Sequence, residues 1–317
     1  MAGLLEVSGL RVAFGPMEAV RGASFTVAAG EVHGLVGESG CGKSATALAL
    51  MGLLPRMARR TAKWLRFDGQ DLTRLSPGAL NRLRGERIGM VFQEPMTSLN
   101  PAYTVASQMT EVWRRHRGGT RAAARERAAE MLGRVGIASP GLRLGQYPHE
   151  LSGGLRQRVM IATSLLCGPA LLIADEPTTA LDVTIQVGIL RLLLELQAEA
   201  GLAVLLITHD LGVVARMAHR VSVMYAGQVV ESGPAERLFR TPAHPYTRAL
   251  LDCVPVPGRG DLEAPLGTIP GVVPRLPAGF PGCAFRDRCP RAAPECAGPV
   301  PVYRPAPGHA ALCLRPL

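Results

Sequence analysis

Gly37-Glu-Ser-Gly-Cys-Gly-Lys-Ser44 fits the pattern G-x-x-x-x-G-K-[ST]. The apolar run Val32-His-Gly-Leu-Val36 before it reads as a short buried strand, and the apolar stretch from Ser44 to Leu54 after it reads as a helix. A glycine-rich turn between strand and helix is the context in which this pattern binds phosphate, and it argues against an incidental lysine in a turn. The glycines let backbone N–H groups wrap the anion, and the helix N-terminus adds partial positive charge. Lys43 is then placed to bridge the β- and γ-phosphates of a nucleoside triphosphate, and Ser44 to ligate Mg2+. The contacting stretch is Gly37, Glu38, Ser39, Gly40, Cys41, Gly42, Lys43, Ser44 and Ala45.

Five other residues could act on the same ligand. Leu171-Leu-Ile-Ala-Asp-Glu176 is an apolar strand ending in two carboxylates, and open α/β sheets place ligands at strand C-termini. There Asp175 would hold Mg2+ through water, and Glu176 would polarise the attacking water as general base. His209 ends another apolar strand, where an imidazole can bond a transferring phosphoryl group; its alternative is an ordinary structural histidine. Gln93, after the strand Ile88–Phe92, could sense Mg2+ and move the segment that follows. Phe14 could stack on a base, or serve as a core aromatic.

These residues need a scaffold. Residues 3–36 read as short strands, mainly of an antiparallel sheet, and residues 62–92 give further strands and a short helix. Residues 104–165 are helix-rich, notably Arg121 to Val135. The helix Val183–Ala200 separates the strands Leu171–Ala174 and Ala203–Ile207. Strands alternating with helices imply a mostly parallel α/β core. The composition shifts near residue 235: 14 of 26 prolines and four of seven cysteines follow Val254. Residues 236–317 therefore read as a loop-rich extension of the 1–235 domain.

The bulk composition narrows the classes. A 317-residue chain with 47% hydrophobic residues can build one large domain with a small appendage. No uninterrupted apolar run has membrane-spanning length, and the N-terminus lacks signal-peptide features. The net charge of +10 is almost all arginine spread along the chain, with only two lysines, Lys43 and Lys63. That spread reads as compositional bias rather than a nucleic-acid stripe.

Leu151-Ser-Gly-Gly-Leu-Arg-Gln-Arg158 resembles the signature motif of ATP-binding cassette (ABC) proteins. With the phosphate loop, Gln93, Asp175-Glu176, the run Pro177–Asp182 and His209 in this order, residues 1–235 resemble an ABC ATPase. The resemblance implies a P-loop NTPase fold of ABC type, with an N-terminal antiparallel β-subdomain and a helical subdomain inserted at about 94–165. It also implies ATP, Mg2+ and a dimer in which Ser152, Gly153 and Gly154 contact the partner's nucleotide and Asp182 lies at the interface. Mg2+ would fall to Ser44, Gln93 and Asp175.

A narrower resemblance, to the dipeptide/oligopeptide importer ATPases of bacteria, rests on Val91–Pro101, Asp175–Gln186, His244-Pro-Tyr-Thr-Arg-Ala-Leu-Leu251, Pro270–Pro274 and Cys283-x5-Cys289-Pro290. Leu155 and Cys41 depart slightly from the pattern, and Cys41 raises the question of thiol-reagent sensitivity. The implied partners are two membrane permeases, a related ATPase or a second copy, and an extracytoplasmic solute-binding protein; nucleic acid is not among them. The implied location is peripheral, on the cytoplasmic side of the bacterial inner membrane. An importer ATPase for nickel, a glycoside or an antimicrobial peptide, or a non-transport ABC ATPase, are the alternatives. Cys283, Cys289, Cys296 and Cys313 are spaced C-x5-C-x6-C-x16-C. By themselves they read as free thiols or as a zinc or iron–sulfur site stapling a segment with little core. The resemblance favours a 4Fe–4S cluster.

Overall fold

The computed structural model describes residues 3–93, 98–178, 183–254 and 267–317, with the backbone alone at 183 and 184. It comprises two compact units, residues 1–74 with 206–317, and residues 75–205.

The first unit opens with an antiparallel hairpin, β1 (Leu5–Phe14) and β2 (Met17–Val27), which turns at Gly15-Pro16. Along β2, Ala23, Phe25 and Val27 are buried while Ser24 and Thr26 are exposed, the alternation of a sheet covered on one face. β3 (Val32–Val36) is buried at every position and leads through the glycine-rich loop into α1 (Lys43–Met51). β4 (Ala58–Thr61), β5 (Trp64–Phe67) and β6 (Gln70–Asp71) complete an antiparallel sheet ordered β2-β1-β5-β6, with β4 also on β1. β3 lies outside that sheet, as its continuous apolar run requires of a strand covered on both faces.

The second unit holds α2 (Pro77–Glu86), β7 (Ile88–Val91), α3 (Val105–Arg117), α4 (Arg121–Arg134), α5 (Pro140–Gly145), α6 (Gly153–Leu165), β8 (Leu171–Asp175), α7 (Val183–Ala200) and the start of β9 (Ala203–Thr208). The helix starts are written locally. Thr104, Thr120 and Ser152 accept hydrogen bonds from the amides of Ser107, Ala123 and Leu155, each such cap contributing about 1 kcal/mol. Met109, Ala124, Ala128 and Leu132 are buried where the helices pack. β7 and β8 run parallel, with Ile88 opposite Leu171 and Val91 opposite Ala174.

The chain re-enters the first unit through β9 and continues with α8 (Leu211–Met217), β10 (Arg220–Tyr225), β11 (Gln228–Pro234), α9 (Ala235–Arg240), α10 (Pro245–Asp252), β12 (Val302–Ala306) and β13 (His309–Leu312). Within this unit the strand order is β12-β13-β11-β10-β3, with β10 parallel to β3 and the other pairs antiparallel. The proline-rich extension is thus largely loop, but it ends in a hairpin that pairs with β11. Glu231 secures it: its carboxylate accepts from the amides of Ala243 and His244 at 2.7 and 2.9 Å and meets His309 Nε2 at 2.6 Å. No helix among the described residues is long and apolar enough to cross a membrane.

Candidate functional site

β3 ends at the phosphate loop because Gly37 and Gly42 turn the chain where no side chain fits. At φ +153°, a Cβ on Gly37 would lie 2.2 Å from the Met224 carbonyl oxygen. At φ +108°, one on Gly42 would lie 2.3 Å from that of Ala19. Lys43, the first residue of α1, is 4% exposed, and its Nζ donates to the carbonyls of Gly37 (2.8 Å) and Glu38 (3.0 Å). The lysine thus folds back over the loop onto its carbonyls, and a phosphate entering the loop would take their place as its partner. Ser44 and Ala45 follow in the first turn of α1. Cys41 is fully buried, and burial pushes its thiol up, so it is a poor target for thiol reagents.

Phe14, the last residue of β1, lines a cavity of about 390 Å³ together with Gly40 of the phosphate loop. The structure therefore brings the aromatic and the loop to one cavity. Arg275 and Leu276, from the C-terminal extension, line it too. His209 follows β9 and is exposed, next to Asp210, whose carboxylate caps α8 through the amides of Gly212 and Val213.

In the second unit, β7 and β8 are neighbours, so the residues after them meet. Gln93 Nε2 donates to Glu176 Oε2 at 3.2 Å. Asp175, the end of β8, is 4% exposed, and Glu176 takes the left-handed conformation at φ 47°. A non-glycine residue rarely adopts that turn, which directs a side chain away from the strand axis. Ser152 caps α6, so Gly153 and Gly154 form its first turn and offer helix N-terminal amides. Gly154 is buried: a Cβ there would meet Ile185 Cδ1 and Cγ2 at 3.1 Å. Asp182 and residues 94–97 lie outside the described residues.

Cys283, Cys289, Cys296 and Cys313 line a single cavity of about 20 Å³ together with His244. Burial first, and other thiols of the set, push Cys283, Cys289 and Cys313 up. Against this, the backbone amides of Phe285, Arg291 and Arg315 each donate to the sulfur two residues before them. Amides aimed at sulfur favour a thiolate, the form that binds metal. Among the described residues, however, no three such donors are gathered as a single metal ion would need. The donor set and its amides fit a thiolate-bound group.

Three contacts escaped the sequence. Arg288 grips Glu38 inside the phosphate loop with two bonds of 2.9 Å, from Nη1 to Oε2 and from Nη2 to Oε1. The Glu38 amide donates to the Tyr246 hydroxyl at 2.9 Å. Tyr246 packs with Tyr225 and Phe285, their ring centroids 4.6 to 5.2 Å apart. Arg288 stands 250 residues from its partner, with no local signal beyond its place before Cys289. In the second unit the Gln157 side chain on α6 bonds the Pro177 carbonyl, tying the signature helix to the turn after Glu176.

The ABC transporter family model matches residues 20–179, and that of the oligopeptide/dipeptide transporter C-terminal region matches residues 230–296. The probable peptide ABC transporter ATP-binding protein y4tR of Sinorhizobium fredii (strain NBRC 101917 / NGR234) is 51% identical, over 98% of this chain and 95% of the relative. The dipeptide transport ATP-binding protein DppD of Escherichia coli (strain K12) is 50% identical, over 99% of this chain and 97% of the relative. Among solved structures, cbiO1 from Clostridium perfringens, part of the ABC transporter complex cbiONQ, is 29% identical with a TM-score of 0.65, covering 75% of this chain and 91% of that one. The ATP-binding cassette MJ0796, solved as a dimer in a post-hydrolysis state bound to ADP and Pi, is 27% identical with a TM-score of 0.65, covering 73% of this chain and 98% of that one. The chain belongs to the ABC transporter family, as an ATP-binding cassette protein that carries the oligopeptide/dipeptide transporter C-terminal region.

Proposed function

We propose that this chain is the ATP-hydrolysing subunit of a bacterial ABC importer that drives uptake of dipeptides and oligopeptides through two membrane permeases. Half-identity to DppD along nearly the whole length, extension included, carries this reading over another solute. The chain works as a peripheral protein on the cytoplasmic side of the inner membrane, paired with a related ATPase or a second copy. An extracytoplasmic solute-binding protein delivers the peptide.

The residue roles follow from their chemistry. When ATP enters, Lys43 exchanges the carbonyls of Gly37 and Glu38 for the β- and γ-phosphates. Residues Ser44, Gln93 and Asp175 hold Mg2+, which neutralises charge on the phosphates. Gln93 bonds Glu176, so the side chain that would bind Mg2+ through its carbonyl oxygen also restrains the general base. Glu176 takes a proton from the attacking water, and His209 bonds the transferring phosphoryl group. Ser152, Gly153 and Gly154 bring their helix N-terminus to the γ-phosphate held by the partner, with Asp182 at the interface. Phe14 stacks on the base. The four tail cysteines, which line one small cavity, would hold a 4Fe–4S cluster, with zinc as the second choice. Its role is to staple the extension.

The test is reconstitution of the chain with its membrane partners in proteoliposomes. Dipeptide with its binding protein should raise ATP hydrolysis, and Glu176→Gln should abolish it. Stimulation by nickel or a glycoside instead, or recovery of ribosomes in place of permeases, refutes the assignment. Anaerobic purification should yield absorption near ~400 nm with iron and sulfide, lost on Cys289→Ser. Zinc, or no metal, refutes the cluster.

A further inference from the structure

Residues 269–280 of the extension are tied at both ends to the elements that build the nucleotide site. At one end, the Glu18 amide donates to the Leu276 carbonyl (3.1 Å) and the Ala278 amide to that of Pro16 (3.3 Å). Met17 and Pro277 form an antiparallel bridge, and Arg21 Nη2 donates to the Phe280 carbonyl at 3.1 Å. This fixes the segment on the hairpin that carries Phe14. At the other end, Arg288 donates to the carbonyls of Pro270 (2.6 Å) and Ile269 (3.1 Å) while it holds Glu38 of the phosphate loop.

Between these ties lies the cavity of about 390 Å³. Phe14, Met17, Glu18 and Ala19 form one side, Gly40 of the phosphate loop another, and Pro274, Arg275 and Leu276 a third. Leu276 is 8% exposed and apolar. Arg275 is exposed, and among the described residues its guanidinium has no hydrogen bond or ion pair, while the Glu18 carboxylate, which also lines the cavity, is held by Arg11 through two contacts of 3.0 Å. A nucleotide whose phosphates occupy the loop carries its sugar and base away from that loop, and this cavity joins Gly40 to Phe14. An apolar wall and a planar cation are the groups that suit a purine face and the oxygens of a sugar.

We propose that Pro274–Leu276 forms the outer wall of the nucleotide pocket, with Leu276 against the purine and Arg275 reaching the ribose oxygens of ATP. The C-terminal extension is then part of the ATP site, and its attachment sets how tightly the chain binds nucleotide. This rests on the ATP-binding reading above, which Lys43 tests separately.

The experiment is calorimetric titration of the full chain with Mg–AMPPNP and with inorganic tripolyphosphate, which has neither base nor sugar. Arg275 is exposed, so Arg275→Ala leaves the fold intact; Leu276→Ala keeps the backbone bond to Glu18. Loss of about fivefold in AMPPNP affinity in either variant, with tripolyphosphate held within about twofold, is the expected result. AMPPNP affinity within about twofold of the parent in both variants overturns the wall. So does an equal loss of tripolyphosphate affinity, because the segment would then act only through the phosphate loop. A parent chain that binds no AMPPNP, or a Lys43→Ala variant that binds it as tightly, overturns the nucleotide reading itself and the wall with it.

Discussion

Removing Arg288 is expected to loosen the phosphate loop, although the residue lies in the extension. Two parallel N–H···O bonds of 2.9 Å join it to Glu38, and a weaker one of 3.3 Å reaches the Tyr225 hydroxyl. The Glu38 carboxylate, more than any other neighbour, pushes the guanidinium further up. The Arg288 side chain is 7% exposed and that of Glu38 26%. The pair thus sits between an exposed ion pair, worth up to about 1 kcal/mol, and a buried one whose loss of a single partner costs about 3–5 kcal/mol. A coupling of about 1.5–2.5 kcal/mol is expected, carried by the two-pronged geometry. The assay is a double-mutant cycle on Glu38→Ala and Arg288→Ala, read by denaturant unfolding and by Mg–AMPPNP affinity. Arg288→Ala should weaken AMPPNP binding about tenfold, since an unrestrained loop must be ordered by the ligand. Arg288→Lys keeps the charge but loses the fork, and should recover only part. Strict additivity, with a coupling under about 0.5 kcal/mol, refutes the clamp.

Three further outcomes are expected. Glu176→Gln should lower steady-state ATP hydrolysis by about 10²–10⁴-fold with AMPPNP affinity unchanged; hydrolysis near the parent rate removes Glu176 as general base. Gly154→Ala should cost about 1–3 kcal/mol by crowding Ile185 at 3.1 Å, and unfolding curves that superimpose on the parent's contradict that packing. Burial pushes the His244 imidazole down to about 4, so the unfolded chain binds a proton below about 6.5 that the folded chain refuses. The stability from this residue is therefore whole above about 6.5, and about 3 kcal/mol of it is lost as the pH falls to about 4.5. His244→Asn, which keeps an acceptor for the Tyr246 amide, should flatten that dependence in denaturant titrations at both pH values.

Much of the site was legible because its determinants are local. A glycine pattern between an apolar strand and a helix specifies a phosphate loop, since only glycine tolerates the turns at positions 37 and 42. The carboxylates ending β8 could be placed because a strand's polarity fixes which end faces a ligand. The helix start at Ser152 was written in its own capping chemistry. The tail was harder to read. Its prolines argued for loop, but the hairpin Val302–Leu312 joins β11 through a buried His309–Glu231 contact spanning 78 residues. Neither residue announces its partner in the sequence.

The sequence by itself determined which residues could do chemistry: a glycine-rich phosphate loop, two carboxylates ending an apolar strand, and four tail thiols. Tertiary structure alone decided what the extension touches. Arg288 reaches Glu38 across 250 residues, and Leu276 and Arg275 face Phe14 across more than that. Such contacts depend on where packed elements bring the chain back, and that is settled by burial and hydrogen bonding over the whole unit rather than by any local pattern.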